Sequence, residues 1–377
     1  MLDSGQGISD LVFSPGRPPQ VEKQGQLTPV LFQNLSILRP DDTARIAGEL
    51  LRGNETALRT LKEQGACDLS YSLPERGRFR VNIFKQRGSF AIVMRVIAGK
   101  VPTLAELKLP PVLAEMATLK NGIVLVTGPT GSGKSSTLAA IIDLINDTRA
   151  EHILTIEDPI EFLHYHKKAT IHQRELHSDT PTFAAALKAA LRQAPKVILV
   201  GEMRDRETME VALEAAETGH LVLSTLHTID AAKSVERIIG VFPKNEEQSI
   251  RLRLSQSFRF IVSQRLMPRA NGSGRVAAIE VLKATSRTKE YIERGESDGK
   301  SLMDAMEQGE TEGMQTFDGE IEKLVRNGVV SKEDGLAYAS NSGNLLLRLG
   351  ELGGRTAVKS EPKPQAQPDS MLDMIER

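Results

Sequence analysis

The run Ile123-Val-Leu-Val-Thr127 leads straight into Gly128-Pro-Thr-Gly-Ser-Gly133-Lys134-Ser135, and an apolar stretch, Leu138-Ala-Ala-Ile-Ile142, follows. The first run reads as a buried parallel strand, and the residues after the glycines read as a helix over Ser135–Ile145. Strand, glycine-rich loop and helix in this order satisfy the phosphate-loop pattern GxxxxGK[ST]. Glycines let successive backbone N–H groups turn inward around a polyphosphate, and the helix aims the positive end of its dipole at the anion. Gly128, Pro129, Thr130, Gly131, Ser132, Gly133, Lys134, Ser135 and Ser136 are therefore the candidate nucleotide-binding residues. Lys134 is expected to meet the β and γ phosphates and Ser135 to ligate Mg²⁺, so ATP with Mg²⁺ is the expected ligand pair.

Acidic residues follow the next strands. Ile153–Ile156 reads as a strand that ends in Glu157-Asp158-Pro159-Ile160-Glu161. Carboxylates at the C-terminal end of a parallel strand lie beside a phosphate loop, where one of them can orient or deprotonate the attacking water. Val197–Val200 ends in Gly201-Glu202, a Walker B position, with Glu202 holding Mg²⁺ through its water shell. Leu221–Ser224 is the next strand and leads to Leu226-His227-Thr228, where His227 is placed to sense or bond the γ phosphate. His164, His166, His172 and His177 lack an ordered metal-ligand spacing, so no metal centre is expected from them.

Working outward, the 377 residues suit about two domains at ~150 residues each. Lys and Arg number 48 against 49 Asp and Glu, a balance that argues against bulk nucleic-acid binding. Aromatic residues make up 4% and tryptophan is absent, so a base-stacking surface is poorly supplied. The single cysteine, Cys67, leaves no internal disulfide and fits a reducing compartment. No apolar run approaches the ~20 residues that span a bilayer, and Met1–Gly7 is no secretory leader. A cytoplasmic protein without membrane insertion is the expectation.

Residues 1–20 are rich in Gly, Pro and Ser and read as loop. Helices are expected at Ala44–Leu51, after Asp41-Asp42-Thr43, and at Glu55–Gln64, closed by Gly65. Strands are expected at Asp68–Leu73, Gly77–Phe84 and Phe90–Val96. Helix pair and sheet give a small α+β domain over residues 1–98, joined by a proline-containing linker, 99–115, to a domain over 116–354. There strands alternate with helices, Thr182–Arg192 and Arg206–Thr218 among them, so a parallel α/β sheet is expected. From Lys244 to the 340s the chain reads as mostly helical, with a turn at Asn271–Gly274 and a strand at Val276–Val281. Residues 355–377 read as a flexible tail, within which Ser370–Ile375 has the pattern of a short amphipathic helix.

The phosphate loop, Thr155-Ile-Glu-Asp-Pro-Ile-Glu161, Gly201-Glu-Met-Arg-Asp205 and Thr218-Gly-His-Leu…Ser-Thr-Leu-His227-Thr228, in that order, resemble the secretion-type hexameric ATPases of type II secretion and type IV pilus systems. Within these the chain is most similar to the PilT/PilU pilus retraction group, from about Ser9-Asp10 to the 340s. The helix that precedes this point in the family is expected to be missing. The resemblance implies a PAS-like N-terminal domain, a RecA-like ATPase domain with a helical C-terminal part, and a homohexameric ring. It assigns Lys134 and Ser135 to Walker A, Glu157 and Glu161 to the Asp box with Glu161 as the catalytic glutamate, Glu202 to Walker B and His227 to the His box. It also gives Arg80 and Arg95 a task, since the matching family arginines reach the nucleotide from the N-terminal domain; read alone, these are charges on strands.

One cysteine excludes the tetracysteine zinc motif of assembly ATPases and favours the retraction side. Thr288-Lys-Glu-Tyr-Ile-Glu-Arg294 and Arg192-Gln-Ala-Pro-Lys196 depart from the PilT pattern toward the accessory PilU branch. The implied function is ATP-driven pilus retraction at the cytoplasmic base of the inner-membrane machine. Its implied partners are a platform protein of that membrane and a sister PilT-type ATPase. The alternative is a nucleotide-binding regulatory subunit with little turnover. A small-molecule kinase or GTPase leaves the N-terminal domain unexplained, and no Asn-Lys-x-Asp guanine motif is present.

Overall fold

The computed structural model describes residues 1–350 apart from positions 6, 24, 34, 74, 75, 98 and 298; the tail expected at 355–377, with its Ser370–Ile375 helix, lies outside the described residues. The N-terminal part holds β1 (Ile8–Phe13), β2 (Gln20–Lys23), β3 (Gln26–Pro29), α1 (Pro40–Leu50), α2 (Glu55–Gln64), β4 (Ala66–Leu73), β5 (Gly77–Gln86) and β6 (Ser89–Val96). Its six strands run β3-β2-β1-β6-β5-β4, and all the pairings are antiparallel. Strand alternation decides the faces. Phe79, Val81 and Ile83 of β5 are buried with Ala47 and Leu51 of the α1 turn and with Ala57 and Leu61 of α2. Arg78, Arg80 and Asn82 stand on the opposite face. Asn54 caps α2 by accepting the Ala57 N–H at 2.9 Å, and Gly65 ends it in the left-handed region at φ 79°.

β1 stands within residues 1–20, where loop is expected, and β2 and β3 follow it directly. Pro15, Gly16, Pro18 and Pro19 lie between β1 and β2, and β1 slots between β2 and β6, so long-range pairing overrides local composition.

The second part begins with β7 (Gly122–Thr127), α3 (Lys134–Thr148), β8 (His152–Glu157), β9 (Thr170–Glu175), α4 (Phe183–Ala190) and β10 (Val197–Val200). It continues with α5 (Arg206–Glu217), β11 (Leu221–Leu226), α6 (Ala231–Gly240), α7 (Glu247–Ser257), β12 (Phe258–Pro268) and β13 (Arg275–Lys283). The chain then winds through α8 (Ser286–Arg294), α9 (Leu302–Gln308), α10 (Phe317–Arg326), α11 (Lys332–Tyr338) and α12 (Ser342–Gly350). The seven-stranded sheet runs β13-β12-β7-β11-β10-β8-β9, parallel except for β13. Every residue of β7, β10 and β11 is buried, as a parallel sheet covered on both faces requires. Ile123 and Leu125 pack toward α4–α7, while Val124 and Val126 pack toward Leu138, Ile141, Ile142 and Ile145 of α3. Each such aliphatic side chain contributes about 1.5–3 kcal/mol relative to exposure.

Two strands here escape the sequence pattern. In β9, Thr170-Ile-His-Gln-Arg-Glu175, only Ile171 supplies an apolar side chain. The β12 stretch, within the region read as helical, follows α7 with no glycine or proline between them, so nothing local marks the change of period.

Candidate functional site

In the order β7-β11-β10-β8 the four central strands are neighbours, and their registers align Thr127 with Leu226, Ser224 with Val200, and Val200 with Ile156. The phosphate loop, His227, Glu202 and Glu157 follow the C-terminal ends of these four strands, so one sheet edge gathers them. They line a cleft of ≈ 630 Å³ together with Glu161, His164, Arg204 and Arg275.

The loop's glycines answer geometric needs. At Gly128, φ is 143° and a Cβ would stand 2.4 Å from the Gln264 carbonyl and 2.6 Å from Ser132 Oγ. Gly131 and Gly133 take φ of 78° and 92°, where other residues are strained, and Gly133 opens α3. Lys134, 8% exposed, donates from Nζ to the carbonyls of Gly128 (2.8 Å) and Pro129 (3.0 Å). Burial pushes its pKa down, and the carboxylates of Glu202 and Glu161 push it back. Of the nine residues expected to bind nucleotide, Thr130, Gly131, Gly133, Lys134, Ser135 and Ser136 line the cleft. Pro129 and Ser132 turn to a neighbouring cleft of ≈ 640 Å³, where Arg265, Arg275 and Tyr338 also lie.

Glu157 and Glu161 differ in setting. Glu157 Oε1 accepts from the Thr155 hydroxyl at 2.6 Å and from Gln173 Nε2 at 3.0 Å. Burial raises its pKa, and the nearby Glu161 charge adds to the rise. Glu161 is exposed to the cleft. Glu202, 14% exposed, pairs with Arg204 Nε at 2.6 Å and stands 3.4 Å from His227 Nε2. Asp205, beside this cluster, caps α5 by accepting the Thr208 N–H at 2.8 Å.

The arginines stand apart from the cleft. Arg80 lines an adjoining cleft of ≈ 580 Å³ between the two sheets, which shares Asp158 and Pro159 with the first. Arg95 donates from Nε to Asp10 Oδ1 at 3.0 Å. Of the four histidines, His164 is pushed down to about 4 by burial and lines the nucleotide cleft. His166 Nδ1 accepts the Ile171 N–H, His172 bonds His152 at 3.0 Å, and His177 borders the cleft between the sheets. Among the described residues no group of three or more His, Cys, Asp or Glu is arranged to hold a metal ion. A Mg²⁺ carried by a nucleotide asks for less, namely the Ser135 hydroxyl and an acid nearby, and both line the cleft.

Sequence reading missed Gln173 and Glu175 on β9, and Arg204 and Arg275 on the cleft wall. Gln173 and Glu175 fall on the strand that the apolar pattern hides.

An anion cradle and carboxylates held at one edge of a parallel sheet are what the hydrolysis of a nucleoside triphosphate asks of a protein, and they place this chain among P-loop ATPases. The profile of the Type II/IV secretion system protein family matches residues 64–334, and the chain belongs to that family. It is 43% identical over 329 residues to the type IV pilus retraction ATPase PilT of Pseudomonas aeruginosa, covering 87% of this chain and 93% of that one. It is 41% identical over 343 residues to the type IV pilus ATPase PilU of the same organism, covering 91% and 88%. The solved structure of the pilus retraction motor PilT with bound ADP superposes with a TM-score of 0.81 at 40% identity, covering 91% of this chain and 96% of that one.

Proposed function

We propose that this protein is an ATP-hydrolysing motor that powers type IV pilus retraction, working as a homohexamer. The observation that carries this reading is the meeting of Lys134, Ser135, Glu157, Glu161, Glu202 and His227 in one cleft of a chain so similar to PilT.

ATP lies with its phosphates in the Gly128–Ser136 loop. Lys134 turns from the loop's own carbonyls to the γ phosphate; Ser135 and, through water, Glu202 would hold Mg²⁺, which would offset phosphate charge. Glu161 takes a proton from water as the water oxygen bonds the γ phosphorus and the bond to the ADP oxygen breaks. Glu157 is tied down by Thr155 and Gln173, whereas Glu161 is exposed to the cleft where the water enters, so Glu161 suits the base. His227 reports on the γ phosphate through Glu202. Arg80 and Arg95 approach the phosphates when the N-terminal sheet closes on the ATPase sheet, and their planar guanidinium groups bond phosphate oxygens two at a time.

Two units, residues 1–98 and 116–354 with a linker at 99–115, fit this cycle, because closure of one on the other is its moving step. The motor works in the cytoplasm at the inner-membrane base of the pilus, on a platform protein there, without nucleic acid. Among the described residues no helix is long and apolar enough to cross a membrane. The Thr288–Arg294 and Arg192–Lys196 stretches favour an accessory role beside a PilT-type ATPase. Twitching motility in cells that carry the chain with Glu161→Gln tests the reading. Loss of retraction with normal piliation supports it, and wild-type retraction contradicts it.

A further inference from the structure

Arg78 on β5 and Glu175 at the end of β9 tie the two sheets together. Arg78 Nη2 lies 2.9 Å from Glu175 Oε2, with the side chains 18% and 6% exposed. The same Oε2 accepts the backbone N–H of Ile160 at 3.0 Å, and Ile160 immediately precedes Glu161. A second bond ties the end of β9 to the start of the acidic loop, for the Leu176 N–H donates to the Glu157 carbonyl at 2.9 Å. Arg78 is itself held, donating from Nη1 to Ser72 Oγ at 3.2 Å. One carboxylate thus faces the N-terminal sheet on one side and the backbone of the acidic loop on the other.

A buried ion pair does little for stability on its own, because lost hydration offsets the attraction. Its other effect is geometric. A catalytic carboxylate has to be held within about 0.5 Å of its working position, and on a loop that precision comes from neighbouring bonds. Two strands and a loop that share one Oε2 atom supply such bonds.

We propose that Arg78 and Glu175 are positioning residues that hold the Glu157–Glu161 loop through the Ile160 amide, so that the seating of the N-terminal sheet sets the rate of the chemical step. This rests on the reading of Glu161 as the base.

The test uses the full chain with Arg78→Ala, Arg78→Lys and Glu175→Gln, and reads amide hydrogen exchange, affinity for a fluorescent ATP analogue and steady-state ATPase. Arg78→Ala is expected to speed exchange at Ile160 roughly tenfold while the β8 and β10 amides stay protected. Its kcat is expected to fall roughly tenfold with analogue affinity within about threefold, since misplacement of a reacting group acts on the chemical step. Arg78→Lys, which keeps the charge, should recover most of both effects. Glu175→Gln keeps an acceptor for the Ile160 amide and should fall between Arg78→Ala and wild type.

An Arg78→Ala protein that melts lower but keeps Ile160 exchange and kcat within about twofold of wild type overturns the proposal. Exchange is read without turnover. Should Glu161→Gln hydrolyse ATP normally, the choice of base fails, and the exchange comparison still decides whether Arg78 holds the loop.

Discussion

Arg80 and Arg95 stand directly opposite one another in the antiparallel pairing of β5 and β6, on the sheet face turned away from α1 and α2. Like charges in that position oppose pairing by up to ~1 kcal/mol. Asp10, Arg95's partner on β1, offsets part of this for one arginine, and Arg80 has no ion pair among the described residues. Arg80 borders the cleft that shares Asp158 and Pro159 with the nucleotide cleft. For Arg80 this is the arrangement expected of a residue whose counter-charge arrives with a ligand.

Arg80→Lys and Arg95→Lys should each lower kcat more than about tenfold, or ~1.4 kcal/mol of transition-state stabilisation, because Lys cannot reproduce the planar fork. Steady-state ATPase at saturating ATP reads the effect, with circular dichroism melts as the folding control. Wild-type kcat in both folded variants returns them to ordinary surface charges.

The two loop carboxylates divide in the same assay. Glu161→Gln should leave ATP affinity within a few fold and cut kcat by ~10²-fold or more, the range of a lost general base. Glu157→Gln should have a smaller effect, since Gln still accepts from Thr155 and Gln173, though its oxygen cannot match a carboxylate. Reversed results identify Glu157 as the base.

Glu280 gives the fold a pH dependence apart from catalysis. Fully buried on β13, it accepts the Ala231 N–H at 2.8 Å, and burial pushes its pKa up to about 7, with Asp230 adding to the rise and Arg265 opposing it. The unfolded carboxyl, at 4.5, gives up its proton first, so folding takes up a proton between these values. Stability from this group is full below 4.5 and is lost as pH rises through about 7. Glu280→Gln should therefore gain on the order of 3 kcal/mol relative to wild type at pH 8 and little at pH 4.5. Urea unfolding at the two pH values checks it, and a gain of equal size at both contradicts it.

Much of the site is legible in the sequence because its parts are local. The phosphate loop, Glu161, Glu202 and His227 each follow a short apolar strand, and a parallel sheet places such strand ends side by side. What escaped depends on pairing at a distance. β1 lies beside β6 though some eighty residues separate them in sequence, as the 85-residue gap between Asp10 and Arg95 shows. Arg78 and Glu175 are 97 residues apart, and neither carries a local pattern that points to the other. β9 hides because one buried isoleucine cannot announce a strand, and with it hid Gln173 and Glu175. Arg80 and Arg95 read alone as solvated charges, and the family resemblance marked them out.

The most direct measurement is phosphate release from ATP by the purified protein with Mg²⁺, wild type beside Lys134→Ala and Glu161→Gln, with ATP binding measured on all three. In the proposed cycle Lys134 meets phosphate in both ground and transition states, so its loss should abolish binding and turnover together. Glu161→Gln should bind ATP and release phosphate at about 1% of the wild-type rate or less. Wild-type release no faster than that of Lys134→Ala would contradict the account and leave a nucleotide-binding subunit that does no mechanical work of its own.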